Sequence, residues 1–385
     1  MDVCAGGLLV GSPPDFPLVV CSSRFFSIFL YRFVIRFTIE RYVALLALIP
    51  VYSVFGMLPI GYCAVARTQQ RQKGKHMKSA KTKAVVTAGV LAAALTAQPA
   101  SAWWFSKQDT YTQTEHPIVL VHGLSGFNKL FGLVSYFNGV PDELAESGAE
   151  VFVPQVSAAN STEIRGEQLL AQIEEYIAVT GAEKVHLIGH SHGGPTIRYV
   201  AGVRPDLVAS VSSVGGVNWG TPLADTLNNG SLDGLGDWFF GLIDTFSGGG
   251  GLPQDTAAAI QSLSTEGSIA FNADFPAGLP SSYCGNDGAQ VANGIRYYSW
   301  GGNKAVTNVL DPSDLLLGAL TPIFDEPSDG MVPSCSMKLG KVLGVDYRHN
   351  HLDEVNQVLG LVGPFVTDPV QLYRQQANRL KNLGL

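Results

Sequence analysis

Lys184-Val-His-Leu-Ile-Gly-His-Ser-His-Gly-Gly-Pro-Thr-Ile-Arg-Tyr199 is the stretch on which the fold turns. Residues 184–188 are a short apolar run of the kind that forms a buried strand, and the residues after the glycines predict a helix reaching about Val203. Between them lies Gly189-His-Ser-His-Gly193, a G-x-S-x-G pattern found once in the chain. In a chain with 43 glycines such a pentapeptide means little alone. A strand leading in and a helix leading out give it meaning, because they describe the sharp turn that presents a nucleophilic serine. The turn leaves room only for small residues two positions either side of Ser191. The helix that follows points its positive end at charge developing there.

Working outward, residues 117–121 form another apolar run bounded by turn-formers and ending in His122-Gly-Leu-Ser-Gly126. Residues 150–153 and 207–214 are further strand candidates. A helix is predicted over residues 160–180, with Asn160 as its cap and Glu163 three residues on. Ile164, Leu169, Leu170, Ile173, Tyr176 and Ile177 supply its apolar stripe, and Gly181 its stop. Strands alternating with helices imply an α/β fold, a mostly parallel sheet covered on both faces. Residues 232–246 break the rhythm. Leu235, Trp238, Phe239, Leu242, Ile243 and Phe246 share one helical face, and Ser247-Gly-Gly-Gly-Gly251 follows as a joint. That helix is either packed on the core or a lid over the site, the lid spanning about residues 225–251.

The 385 residues suffice for one large domain or two smaller ones. Residues 1–102 hold 11 of the 25 basic and 3 of the 32 acidic residues, so residues 103–385 are strongly acidic. An acidic body argues against nucleic-acid binding, which requires a basic face. Met77 opens a secretory pattern: Lys78, Lys81 and Lys83, an uncharged run from Ala84, then Ala100-Ser-Ala102 as a cleavage site. Residues 77–102 are accordingly expected to be a signal peptide and 103–385 the mature, exported domain. Residues 1–76 have two readings. Residues 42–66, uncharged between Arg41 and Arg67, are long enough to span a bilayer; alternatively Met77 is the true start. Of five cysteines, only Cys284 and Cys335 fall in the mature part. In an exported chain they read as one disulfide, the alternative being two separate buried thiols.

A serine hydroxyl needs a base, and the base needs an acid that lies between serine and histidine in sequence. The only histidines beyond His192 are His349 and His351, of which His351 is preferred. The intervening acids include Asp311, Asp314, Asp325 and Asp329. Asp329 stands out because Pro327-Ser-Asp-Gly330 is a tight turn that projects a side chain. Oxyanion donors are expected from the backbone of His192 and from the loop at Leu124, with His122 shaping that loop.

Several longer motifs go beyond a generic pattern. Tyr111-Thr-Gln-Thr, His122-Gly-Leu-Ser-Gly-Phe127, Arg165-Gly-Glu-Gln-Leu-Leu170, the elbow as far as Tyr199, Asn350-His-Leu-Asp-Glu-Val-Asn-Gln357 and Tyr373-Arg-Gln-Gln-Ala-Asn-Arg-Leu-Lys-Asn382 span nearly all of the mature chain. Together they resemble the secreted, foldase-dependent triacylglycerol lipases of Pseudomonas and Burkholderia, of the α/β-hydrolase superfamily. The resemblance implies a triad of Ser191, Asp329 and His351, oxyanion amides from Leu124 and His192, and a disulfide between Cys284 and Cys335. It also implies a structural Ca²⁺ held by the side chains of Asp311 and Asp353 and the carbonyls of Gln357 and Leu361. It further implies a lid, a membrane-anchored foldase chaperone as folding partner, a lipid substrate at an oil–water interface, and no membrane anchor in the mature form.

Three other readings remain. A carboxylesterase would act on short soluble esters only. A non-catalytic binding protein with this fold would normally lack a triad candidate, and none is lacking. A zinc hydrolase would need an H-E-x-x-H helix, which the sequence does not contain.

Overall fold

Alternation along the first strand sets the layers. In β1 (Ile118–Val121), Ile118 and Leu120 point into one core and Val119 and Val121 into the other, because successive side chains of a strand face opposite ways. All four are fully buried, so each adds roughly 1.5–3 kcal/mol of apolar burial. The computed structural model describes residues 109–126, 129–130, 134–230 and 251–385, all within the second of the chain's two compact units, Leu95–Leu385. Residues 1–76, the segment expected to be a signal peptide and the apolar segment 232–246 expected to be helical lie outside the described residues.

After β1 come the ribbon strands β2 (Lys129–Leu130) and β3 (Val134–Ser135), then helix α1 (Val140–Glu146) and β4 (Val151–Phe152). Helix α2 (Thr162–Thr180) leads to β5 (Val185–His190), α3 (Gly193–Val203) and β6 (Val208–Val214). Helices α4 (Pro222–Asn228), α5 (Thr256–Leu263) and α6 (Thr265–Asp274) precede β7 (Val291–Ala292) and β8 (Ile295–Gly302). The chain ends with α7 (Pro312–Leu320), β9 (Lys341–Tyr347) and α8 (Pro369–Lys381). The main sheet runs β4-β1-β5-β6-β8, with β9 and β7 both pairing with the far edge of β8. Every pairing in this sheet is parallel except β7 with β8, and the separate β2–β3 ribbon is antiparallel. Helices α1 and α8 close one face through Val140, Leu144, Leu372 and Tyr373. Helices α2 and α3 close the other through Leu169, Ile173, Ile197 and Val200. The expected mostly parallel, doubly covered sheet is the one found.

Two details of α2 differ from expectation. Its cap is Ser161, whose hydroxyl accepts from Ile164 N, while Asn160 accepts from Ser161 N and donates to the Pro253 carbonyl. Ile164 is exposed, and Arg165 and Gly166 take the inward positions instead. Gly166 is there for contact: a Cβ would run into the Tyr199 ring, so α2 and α3 pack backbone against side chain. Gly181 ends the helix as expected, at φ 77°. Strands β8 and β9 and helices α5 to α8 were not singled out in the sequence. Among the described residues no helix is long and apolar enough to cross a membrane.

Cys284 and Cys335, 51 residues apart, are joined by a disulfide. The bond ties the β8 approach to the loop carrying Asp329. By the loop-closure estimate it stabilises the fold by about 4 kcal/mol at most. Cys335→Ser should lower the melting temperature by roughly 10 °C in a thermal scan; an unchanged melting temperature would mean the loop is fixed without the bond.

Candidate active site

Ser191 sits where β5 ends and α3 begins, at φ 58°, in the left-handed region that residues with a side chain seldom occupy. Its backbone is pinned on both sides. Ser191 N donates to Val214 O at 2.9 Å, and Ser191 O accepts from Gly194 N at 2.9 Å and Val217 N at 3.3 Å. The flanking glycines are needed for contact. A Cβ on Gly189 would strike the Gly193 carbonyl, and one on Gly193 would strike the Val121 carbonyl. Ser191 keeps 7 % exposure while His190 and His192 beside it have none, so within the elbow pentapeptide's centre only the serine is reachable.

Asp329 and His351 meet twice. His351 Nδ1 donates to Asp329 Oδ2 at 2.6 Å, and His351 N donates to Asp329 O at 2.9 Å. The other carboxylate oxygen, Oδ1, accepts from Met331 N at 2.8 Å and Val332 N at 2.7 Å. Asp329 is fully buried, and with its own N–H donating to Val332 O its orientation is set by five hydrogen bonds and by packing. The His351 ring lies against His190, with centroids 4.5 Å apart. Among the described residues Ser191 Oγ makes no hydrogen bond to His351; such contacts are often loose before substrate arrives. His349, the other late histidine, has its Nε2 2.6 Å from Thr367 O and stacks on Tyr347, and burial lowers its pKa.

Beneath the pair lies a buried polar chain that was not singled out in the sequence. Gly123 N donates to Tyr136 Oη at 3.1 Å, which leaves the hydroxyl to donate to His190 Nδ1 at 2.7 Å. His190 then carries its proton on Nε2, 3.2 Å from Glu354 Oε2, within ion-pair reach though poorly aligned for a hydrogen bond. Glu354 Oε1 accepts from Gly302 N at 2.5 Å. Burial drives His190 well below the ordinary histidine range and Glu354 well above the carboxylate range, the latter helped by neighbouring Asp329. Both are thereby held towards neutrality beside the Asp329–His351 pair. The only hint in the sequence was that Glu354 belongs to the His351-Leu-Asp-Glu run.

Leu124 N and His192 N, the two expected oxyanion donors, find no acceptor among the described residues. Leu124 and Met331, which follow His122-Gly123 and Asp329-Gly330, pack with Val217, Ile260 and Val332 in one apolar cluster. A buried polar network and an apolar cluster therefore adjoin one another at the site.

Of the residues expected to hold a cation, Asp311 and Asp353 lie close enough to interact. Asp311 caps α7, its Oδ1 accepting from Ser313 N at 2.8 Å, and its Oδ2 is buried without a partner. Asp353 Oδ2 accepts from Thr307 Oγ1 at 2.8 Å, and its Oδ1 is likewise buried and unpaired. Burial first, then Asp311 and Asp314, push the Asp353 carboxyl up to about 6. Asp314 is otherwise engaged, by the amides of Thr307 and Asn308 and by Asn350 Nδ2. Two unpaired buried carboxylate oxygens fit a hard cation. Gln357 and Leu361 bracket a left-handed turn, with Val358 at φ 53° and Leu359 at φ 60°. His190, His351 and Glu354 could also close on an ion, but His351 Nδ1 is committed to Asp329.

Comparison with known proteins agrees with this geometry. A family profile described as alpha/beta hydrolase fold matches residues 116–238. The chain is 58% identical over 287 residues to a triacylglycerol lipase of Vibrio cholerae, covering 72% of this chain and 91% of that protein. It is 42% identical over 295 residues to a triacylglycerol lipase of Pseudomonas fragi, covering 72% of this chain and all of that one. A triacylglycerol lipase of Burkholderia plantarii is 36% identical over 339 residues, covering 77% and 94%. At such identity over nearly the whole length of these relatives, the chain belongs to the triacylglycerol lipase family of α/β-hydrolases.

Proposed function

We propose that the protein is a secreted triacylglycerol lipase that cleaves acylglycerol esters through an acyl-enzyme on Ser191. The observation that carries this reading is the Asp329–His351 hydrogen bond set beside the strained Ser191 elbow. His351 Nε2 takes the Ser191 proton as Oγ attacks the ester carbonyl, and Asp329 holds the ring in the Nδ1–H tautomer. The tetrahedral oxyanion is received by the amides of Leu124 and His192, at the positive end of α3. His351 then gives the proton to the departing alcohol, leaving the acyl group on Ser191. Water, deprotonated by His351, attacks the acyl carbon; the fatty acid leaves and Ser191 regains its proton. The apolar cluster around Leu124 and Met331 suits an acyl chain.

Calcium would be held by Asp311 and Asp353, with the carbonyls of Gln357 and Leu361. Its contribution there is structural: it neutralises two buried carboxylates and fixes the turn that follows the His351 segment. Export through the segment at 77–102 and folding with a membrane-anchored foldase complete the proposal, supported by the secretory pattern and by the family.

Emulsified triolein should be hydrolysed faster than a soluble short-chain ester, and Ser191→Ala should abolish both activities. Turnover of the short ester alone would make the protein a carboxylesterase. Asp329→Asn should cut kcat by about 10⁴-fold with circular dichroism unchanged; a loss under tenfold would remove Asp329 from the triad. Calcium at a hundredfold excess over Kd should stabilise the wild type by about 2.7 kcal/mol in thermal melts. Asp353→Ala should lose that gain, and a calcium response equal to wild type would place the ion elsewhere.

A further inference from the structure

Arg165 is fully buried, and no acidic side chain among the described residues pairs with it. Removing a guanidinium from water without a counter-charge is costly, so its hydrogen bonds have to carry the placement. Two of the three reach the backbone beside the two expected oxyanion donors, and the third goes to the loop after β4. Arg165 NH2 donates to His122 O at 2.6 Å, and NH1 donates to Ser157 O. Nε donates at 3.3 Å to Thr196 Oγ1, whose hydroxyl in turn donates to His192 O at 2.7 Å. One side chain therefore links the carbonyl next to Gly123 with the carbonyl of His192.

His122 acts on the same loop more directly. Its Nδ1 lies 2.9 Å from Gly123 O, and its Nε2 lies 3.3 Å from Val156 N and 3.1 Å from Gln155 Nε2. Gly123 O can only accept and Val156 N–H can only donate, so the ring carries its proton on Nδ1 and accepts at Nε2. The Gly123 carbonyl and the Leu124 N–H belong to one planar peptide, so holding the first aims the second. The ring occupies the place a Cβ on Gly126 would take, which gives Gly126 a reason to be glycine. Burial, with Arg165 nearby, drives the His122 pKa down to about 3, so the ring stays neutral at ordinary pH.

We propose that His122 and Arg165 are positioning residues for the oxyanion formed on the Ser191-bound carbonyl: His122 aims the Leu124 amide through the Gly123–Leu124 peptide, and Arg165 ties that loop to the first turn of α3. The inference rests on the acyl-enzyme reading above, and its failure is separable from that reading. If Ser191→Ala is inactive but the variants below keep wild-type kcat, only the positioning role fails; if Ser191→Ala is fully active, the reading itself fails.

The test compares two amide replacements in the full, calcium-loaded protein. The amide nitrogen of His122→Asn falls near Nδ1 and can still donate to Gly123 O, whereas that of His122→Gln falls near Nε2 and cannot. His122→Gln should lower kcat for a soluble ester by about 100-fold with KM little changed. His122→Asn should keep a kcat at least about tenfold higher than His122→Gln at similar melting temperature. Equal kcat in the two variants, or a loss confined to KM, would overturn the proposal. Arg165→Met should likewise lose kcat rather than KM, and millimolar guanidinium should restore part of it; loss of KM alone would count against Arg165. Should the variants not fold, ¹⁵N shifts of the wild-type rings remain decisive. His122 should be neutral and Nδ1-protonated from pH 5 to 8, and an Nε2–H tautomer or an imidazolium would overturn the assignment.

Discussion

The site depends on one backbone constraint: Ser191 held at φ 58° between glycines that can carry no side chain. A left-handed residue with a Cβ costs of order 1–3 kcal/mol and persists only where its surroundings force it. Here β5 is locked between β1 and β6, and α3 packs on α2, so neither end of the elbow can relax. The Val214 carbonyl grips the Ser191 amide from the neighbouring strand. That strain is what lifts one hydroxyl out of a turn whose neighbouring histidines are sealed.

Around the elbow the protein spends buried polar groups freely, and nearly all of them hold carbonyls or carboxylates in fixed directions. Asp329 is held by two amides before it meets His351. Tyr136, His190 and Glu354 support the underside of the same pair. Glu354 carries a consequence for charge: a second ionised carboxyl this close to Asp329 would compete for the imidazolium, and burial holds it towards its neutral form instead. Leu124 and Met331, which follow Gly123 and Gly330, pack in an apolar cluster beside these polar groups. The polar groups of the site and the apolar cluster beside it thus come from adjacent residues of the same two loops.

Much of this was legible in the sequence because the period of the pattern and the chemistry coincide. Residues 185–203 announce strand, turn and helix in the order the nucleophile requires, β1 is an uninterrupted apolar run, and β6 is rich in valine with serines between. Where polar groups are buried, pattern reading loses its grip. Arg165 looks like a surface residue and Ile164 like core, yet the structure inverts them because the guanidinium is satisfied by carbonyls remote in sequence. Asn160 and Ser161 are both good caps, and only tertiary contact with Pro253 decides between them. Asp311 and Asp314 are likewise interchangeable on paper; amides of the 307–308 segment engage one and leave the other an unpaired oxygen. Strand β8 was not singled out, because Arg296 and the Tyr297-Tyr298 pair interrupt the apolar alternation that marks the other strands.

The most direct test of Ser191 as the acyl-bearing residue is covalent labelling with an alkyl p-nitrophenyl phosphonate, followed by peptide mass mapping. One phosphonyl group on the peptide containing Ser191, with labelling lost in His351→Ala, is the expected result. Label on a different residue, or ester hydrolysis that continues after Ser191 is fully phosphonylated, would contradict it.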